Sequence, residues 1–211
     1  MNRQNLLSNL ISKILNPVFV FNYIFVFALF VSYSMSGFNK SILFLNFKLI
    51  LIFFVITYIL PLFTMYSIRN TNLMINNLKK DFSNTYYIVN LIYFSIAWFY
   101  FSLLKLPFWL EVIFSIPVVS MFFIFIANRY IKVTYQSLAL GSLTFYIYYL
   151  TIILQGFIGI LPFIISVSIS GISLSNEIKS EISSFKLTGI SYIIGIISSV
   201  FAILFYMVFQ S

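Results

Sequence analysis

Only four side chains in this sequence carry a carboxyl group: Asp81, Glu111, Glu177 and Glu181. There is no histidine and no cysteine. The commonest general base, the commonest metal ligand and the thiolate nucleophile are therefore all missing. A Ser or Thr nucleophile with a Lys base would remain, but no Ser-x-x-Lys stands in a convincing context. The run Asn176-Glu177-Ile178-Lys179 reads as part of a solvated loop. No catalytic residue, metal site or cofactor is expected.

The remaining polar groups are amides and cations. Asn22, Asn46, Asn90, Asn128, Gln136 and Gln155 lie within or at the ends of apolar stretches. The plain reading of each is an interhelical hydrogen bond or an interfacial position, worth about 0.6–2 kcal/mol. No Asp or Glu is expected at mid-span, which speaks against an ion-coupled transporter. Lys105 and Glu111 flank Pro107 and read as a surface pair. Trp98 and Trp109 read as interfacial anchors. Lys79, Lys80, Arg129 and Lys132 form a group that would attract a phosphate-bearing lipid head group, although a topological charge bias alone would also place them together.

The elements that must position these groups are apolar. Hydrophobic residues make up 62% of the 211 residues and charged residues 8%, with a mean hydropathy of +1.06. A soluble domain carries about a quarter charged residues. This chain cannot cover itself with polar groups, so its expected solvent is lipid. A membrane-crossing helix needs roughly 20 apolar residues, and seven stretches qualify: about 17–36, 47–67, 85–104, 107–128, 135–154, 157–174 and 187–208. The fifth and sixth are separated only by Gln155-Gly156, so they read as a tight hairpin or as one broken helix, which would leave six spans. The expectation is an all-α, polytopic transmembrane helix bundle in one integral domain, 1–211.

The net charge of +8 then describes topology. Nucleic acid is not an expected partner, because no basic stripe is interleaved with exposed aromatics. With seven spans, one side holds Arg3, Lys13, Arg69, Lys79, Lys80, Arg129, Lys132, Lys179 and Lys186, and the other Lys40, Lys48 and Lys105. Nine against three is expected to place the N-terminus in the cytoplasm and the C-terminus outside. Before Pro17, Leu6, Leu7, Leu10, Ile11, Ile14 and Leu15 recur at helical spacing opposite Asn5, Ser8, Asn9, Ser12 and Lys13. This leader reads as a short interfacial amphipathic helix rather than a cleavable signal.

Four landmarks carry a family resemblance. Leu15-Asn16-Pro17 opens the first span. Asn77-Leu78-Lys79-Lys80-Asp81, followed by Tyr86-Tyr87, forms a basic segment. Lys132-Val133-Thr134-Tyr135-Gln136-Ser137-Leu138-Ala139-Leu140-Gly141 precedes and opens the fifth span. Ser173-Leu174-Ser175 leads to Glu181 and Gly189 before the last. In span order and loop placement the chain resembles a divergent branch of the type 2 phosphatidic acid phosphatase family, of the kind found in small membrane proteins of Bacteroidetes-like bacteria. The family attacks phosphorus with a histidine, uses a second histidine as acid and an Asp to orient the nucleophile, and holds the phosphoryl oxygens with Lys and Arg. Here Gln136 stands at the second-motif histidine, Ser175 at the third-motif arginine, Glu181 at the nucleophile and Phe185 near the orienting acid. Lys132 matches a phosphate-holding position, and Lys79 or Lys80 the first motif.

A phosphohistidine mechanism cannot run without histidine, so the resemblance implies a noncatalytic relative that binds membrane lipids or another membrane protein. Two other readings compete. One is a structural or accessory subunit of a membrane complex. The other is a transporter-like protein for an uncharged or lipidic solute, with Gly156, Gly159, Pro162 and Gly171 allowing helix breaks.

Overall fold

The computed structural model describes residues 17–35, 40–70, 82–104, 106, 108–154, 157–179 and 184–210. Among the described residues there is no strand, and seven helices follow one another. They are α1 (Pro17–Met35), α2 (Lys40–Phe54, continuing through Val55–Ile59 and Leu60–Asn70), α3 (Phe82–Ser102), α4 (Phe108–Ala127), α5 (Tyr135–Leu154), α6 (Phe157–Lys179) and α7 (Phe185–Gln210). Five segments are long and apolar enough to cross a membrane: Asn46–Ser67, Phe108–Ala127, Tyr135–Ile153, Ile160–Ile178 and Phe185–Val208. The apolar segments described in α1 and α3, Val20–Val31 and Tyr87–Ser102, are shorter. The expected N-terminal amphipathic helix lies outside the described residues.

Local chemistry starts the later helices. Thr134 precedes α5, and its carbonyl accepts from the Leu138 N–H at 3.2 Å. Ser184 precedes α7, and its hydroxyl accepts from the Leu187 N–H at 3.4 Å while its carbonyl takes the Thr188 N–H at 3.0 Å. Both are N-cap residue types at N-cap positions. In α2 the Val55–Ile59 turn is π-helical, and the Leu60 N–H reaches back to the Val55 carbonyl. Pro61 follows at once. Its ring supplies no N–H and crowds the carbonyl four residues back, and a widened turn relieves both problems.

Pairs of touching residues give the helix directions. Asn22 meets Thr57, and Asn46 donates to the Leu29 carbonyl, so α1 and α2 run antiparallel. Gln136 meets Ser173 and Thr144 meets Ser170, so α5 and α6 are two separate antiparallel helices. Thr134 meets Ser191 and Ser142 meets Ser198, so α5 and α7 are parallel. One end of the bundle therefore gathers the starts of α1, α3, α5 and α7, the ends of α2, α4 and α6, and the α4–α5 link. This end is called the basic end below.

Two kinds of packing hold the helices. Among α1–α4 it is aromatic. Phe25 lies 4.5 Å from Phe53 and 5.0 Å from Phe114, ring centre to ring centre, and Phe101 stacks on Phe114 at 4.1 Å. Between α5 and α7, the most extensively packed pair, it is backbone against backbone. A Cβ added at Gly141 would stand 2.1 Å from the Tyr192 carbonyl oxygen, and one at Gly195 would stand 2.0 Å from that of Leu138. Ser191, Gly195 and Ser199 recur every four residues along α7, a spacing of small residues that lets two helices approach closely. The hydroxyls of Ser120, Ser142 and Ser198 meet where α4, α5 and α7 converge, at 2.9–3.4 Å.

Helix α6 is inverted relative to a helix on a water-soluble protein. Its described buried residues are Ser166, Ser170, Ser173 and Glu177, all polar, at intervals of four, three and four. Its exposed residues include Ile160, Leu161, Ile164, Ile165, Val167, Ile169 and Ile172. A helix in water places its apolar stripe inward, and this one places it outward.

Candidate functional site

Polar chemistry concentrates at the basic end. After α4, the chain turns through Asn128–Tyr130, and the Asn128 side-chain oxygen accepts from the Val133 N–H at 2.9 Å. That bond folds the linker back and leaves Arg129 and Lys132 exposed. The Arg129 guanidinium lies over the Phe125 ring, 5.4 Å from its centre, a cation–π arrangement that restrains the side chain. Tyr87, Phe125, Asn128 and Arg129 line a cavity of about 210 Å³ between α3 and α4. Neither Arg129 nor Lys132 has an acidic partner among the described residues. Tyr87 packs edge-to-face on Tyr135 at 5.5 Å, tying the cavity wall to the start of α5.

Deeper at the same end, α5, α6 and α7 share a hydrogen-bonded chain. The Thr134 hydroxyl donates to that of Ser137 at 2.8 Å, and Ser137 donates to the Glu177 carboxylate. The Thr134 N–H donates to the Ser191 hydroxyl at 3.0 Å. Gln136 donates through Nε2 to the Ser173 hydroxyl at 2.8 Å. Further along, Thr144 shares a hydrogen bond with Ser170 at 3.1 Å and accepts one from the Tyr192 hydroxyl at 2.9 Å. Apart from Thr134–Ser137, each link joins two helices, so the cluster ties together the three-helix half of the bundle.

Two expectations are overturned here. Glu177 is not in a solvated loop: α6 continues to Lys179, and Glu177 is only 6% exposed. Glu111 is not a surface residue either: it is 4% exposed in the first turn of α4. A carboxylate there favours the positive end of the helix dipole, and it also reaches the Tyr206 hydroxyl, which accepts from Trp98 Nε1 at 3.4 Å. The buried helix surfaces are therefore not free of ionisable groups.

The motif positions are partly placed. Gln136 is half-buried and held by Ser173, and Ser175 faces outward on α6. Phe185 is exposed at the start of α7. Lys79, Lys80 and Glu181 lie outside the described residues, as do Lys105 and Gln155. Of the head-group cations, Arg129 and Lys132 stand three residues apart on one linker. Four of the amides have separate partners: Asn22 pairs with Thr57, Asn46 with a backbone carbonyl, Asn128 with its own linker and Gln136 with Ser173. Among the described residues, no three acidic side chains gather as a metal ion would require. The buried serine stripe of α6 and the role of Glu177 escaped the sequence reading, although the spacing of Ser166, Ser170, Ser173 and Glu177 was there to be read. No model of a known family matches this sequence, and no curated protein or solved structure matches it.

Proposed function

We propose that the chain is a noncatalytic, multi-pass integral protein of a bacterial cytoplasmic membrane that holds anionic lipid head groups at its basic end. The observation that carries this reading is Arg129, a cation without an acidic partner among the described residues, restrained over Phe125 at a cavity of head-group size. A guanidinium there offers a planar fork of donors suited to phosphate oxygens. The Asn128 amide and Tyr87 hydroxyl line the same space. The inverted α6 and the apolar exterior support the bilayer as the solvent. All seven helices cross in this reading, with the basic end in the cytoplasm, where anionic lipids concentrate.

The scaffold is proposed to be that of a phosphatidic acid phosphatase relative whose reaction has been lost. Gln136 supports this, because its amide is spent on Ser173 where the family would place an acid. The exposed aromatic faces of α2 and α3, Phe63 and Phe99 among them, favour a second reading as an accessory subunit that docks on a larger membrane complex. The dispersed amides give little support to a solute pathway.

The test uses the full chain, purified in mild detergent and analysed by native mass spectrometry with phosphatidylglycerol and phosphatidylcholine in equal supply. Phosphatidylglycerol should be retained preferentially. Arg129→Gln should reduce that preference several-fold without changing thermal stability. Equal retention of both lipids by the unaltered protein would remove the head-group reading. Release of inorganic phosphate from phosphatidic acid, abolished by Lys132→Gln, would remove the noncatalytic one.

A further inference from the structure

A second cavity lies apart from the Arg129 site. It is a crevice of about 410 Å³ between α1 and α6, floored by α5, on which both helices pack. Ile24 and Phe27 form one wall, Ile165 and Ile169 the other, and Leu143 and Ile147 the floor. Ser166 also lines it, but its hydroxyl is already bonded to the Phe163 carbonyl at 2.8 Å. A water molecule needs two to four polar partners to reside in a protein cavity. Apart from Ser166 and Tyr23 every side chain of this lining is apolar, so the crevice suits an apolar occupant.

Beyond the crevice, toward the basic end, the helix faces that line it turn polar. On α5, Gln136, Leu140, Leu143 and Ile147 recur at intervals of four, three and four, so they share one face. On α6, Ile165, Ile169, Ser173 and Asn176 recur at intervals of four, four and three and likewise share one face. Each stripe is apolar along the crevice and polar at the basic end, where Gln136 meets Ser173 at 2.8 Å. Asn176 Nδ2 is buried and has no hydrogen-bond partner among the described residues. A buried unpaired donor costs on the order of 1–3 kcal/mol, which an acceptor from a ligand would recover. Lys132, exposed, stands four residues before Gln136.

We propose that this crevice binds one acyl chain of an anionic phospholipid whose head-group oxygens accept from Asn176 and lie near Lys132. The profile from the crevice to the basic end is that of such a lipid: an apolar crevice, then beyond it a hydrogen-bond donor at Asn176, then the charge of Lys132. The proposal rests on the reading of the bundle as lipid-embedded. It adds a site that selects by chain as well as by charge, and its walls share no residue with the cavity beside Arg129.

The experiment reconstitutes the full chain in vesicles containing a trace of phospholipid with a photoreactive diazirine in one acyl chain. The head group is phosphatidylglycerol in one set and phosphatidylcholine in the other, and cross-linked residues are mapped by mass spectrometry. Cross-links should concentrate on the crevice walls, several-fold above the exposed Phe99 and Ile193, and phosphatidylglycerol should give more than phosphatidylcholine. Ile169→Trp, at a half-exposed position where folding is not at stake, should fill the crevice and remove most of that labelling. Asn176→Leu should erase the head-group difference but keep the chain cross-links. Arg129→Gln should leave the crevice pattern intact, so a failed head-group test at Arg129 and a failed crevice are separately visible. Uniform labelling of all exposed faces would overturn the proposal. So would indifference to Ile169→Trp, equal labelling from the two head groups, or protein–protein cross-links through Ile169 in place of lipid ones.

Discussion

At the scale of single residues, the most informative side chain is Glu177. A buried carboxylate is unfavourable unless it is hydrogen-bonded, and the Thr134–Ser137–Glu177 chain supplies that bonding across α5 and α6. Glu177→Leu should therefore lower the thermal midpoint in detergent by an amount equivalent to about 1–2 kcal/mol, the range of an interhelical polar contact. Glu177→Gln, which keeps an acceptor for Ser137, should lose clearly less. If the Leu variant melted with the unaltered protein, Glu177 would not be an organising contact. This residue also marks where sequence reading stopped short. A local count of polar groups sees Ser175, Asn176, Glu177 and Lys179 as a loop. It has no access to the Ser137 hydroxyl, forty positions away, which makes an acidic residue tolerable inside the helix. Glu111 was misread for the same reason, since its partner Tyr206 is even more distant in sequence. By contrast, Arg129 and Lys132 were legible as a cationic pair, because their grouping is local. The cavity beside Arg129 was not, because Tyr87 reaches it from another helix.

At the scale of elements, the α5–α7 contact makes the sharpest statement. The helix positions were readable from apolar run length, whereas Gln155-Gly156 left open whether α5 and α6 are two helices or one broken helix. Which faces touch was not readable, because in a chain this uniformly apolar the outward and inward faces carry similar side chains. What distinguishes the inward faces is small and hydroxyl residues. Gly141 and Gly195 each stand within van der Waals reach of the partner backbone, whereas Gly171 and Gly189 would meet nothing within 4 Å. The four glycines thus form a matched experiment. Gly141→Ala and Gly195→Ala should each destabilise by roughly 1–3 kcal/mol, the usual effect of overpacking. Gly171→Ala and Gly189→Ala should be neutral or slightly stabilising, since alanine is the better helix former. Thermal unfolding of the four single variants in one detergent checks this. Equal effects at all four positions would mean that α5 and α7 are not held backbone to backbone.

At the scale of the whole molecule, the arrangement turns an apolar exterior and a basic end into one physical claim about orientation. Successive helices alternate in direction, so Leu103 after α3 and Lys132 after α4 lie at opposite ends, while Ser184 before α7 shares the end of Lys132. In the proposed orientation segments with excess Lys and Arg stay on the cytoplasmic side, with Lys132 and Ser184 inside and Leu103 outside. The natural absence of cysteine makes this directly measurable, because single-cysteine variants need no background removal. A membrane-impermeant maleimide should label Leu103→Cys in intact cells and should reach Lys132→Cys and Ser184→Cys only after the membrane is opened. Each possible departure has a distinct structural meaning. Labelling of Leu103→Cys and Lys132→Cys from the same side would show that α4 does not cross. Labelling of Ser184→Cys from the side opposite Lys132→Cys would show that α5 and α6 together make a single crossing. Complete inversion would keep the bundle but place Arg129 and Lys132 on the outer face, away from the leaflet richest in anionic lipid. Only the expected pattern puts the restrained guanidinium, the crevice mouth and the anionic head groups on the same side of the bilayer.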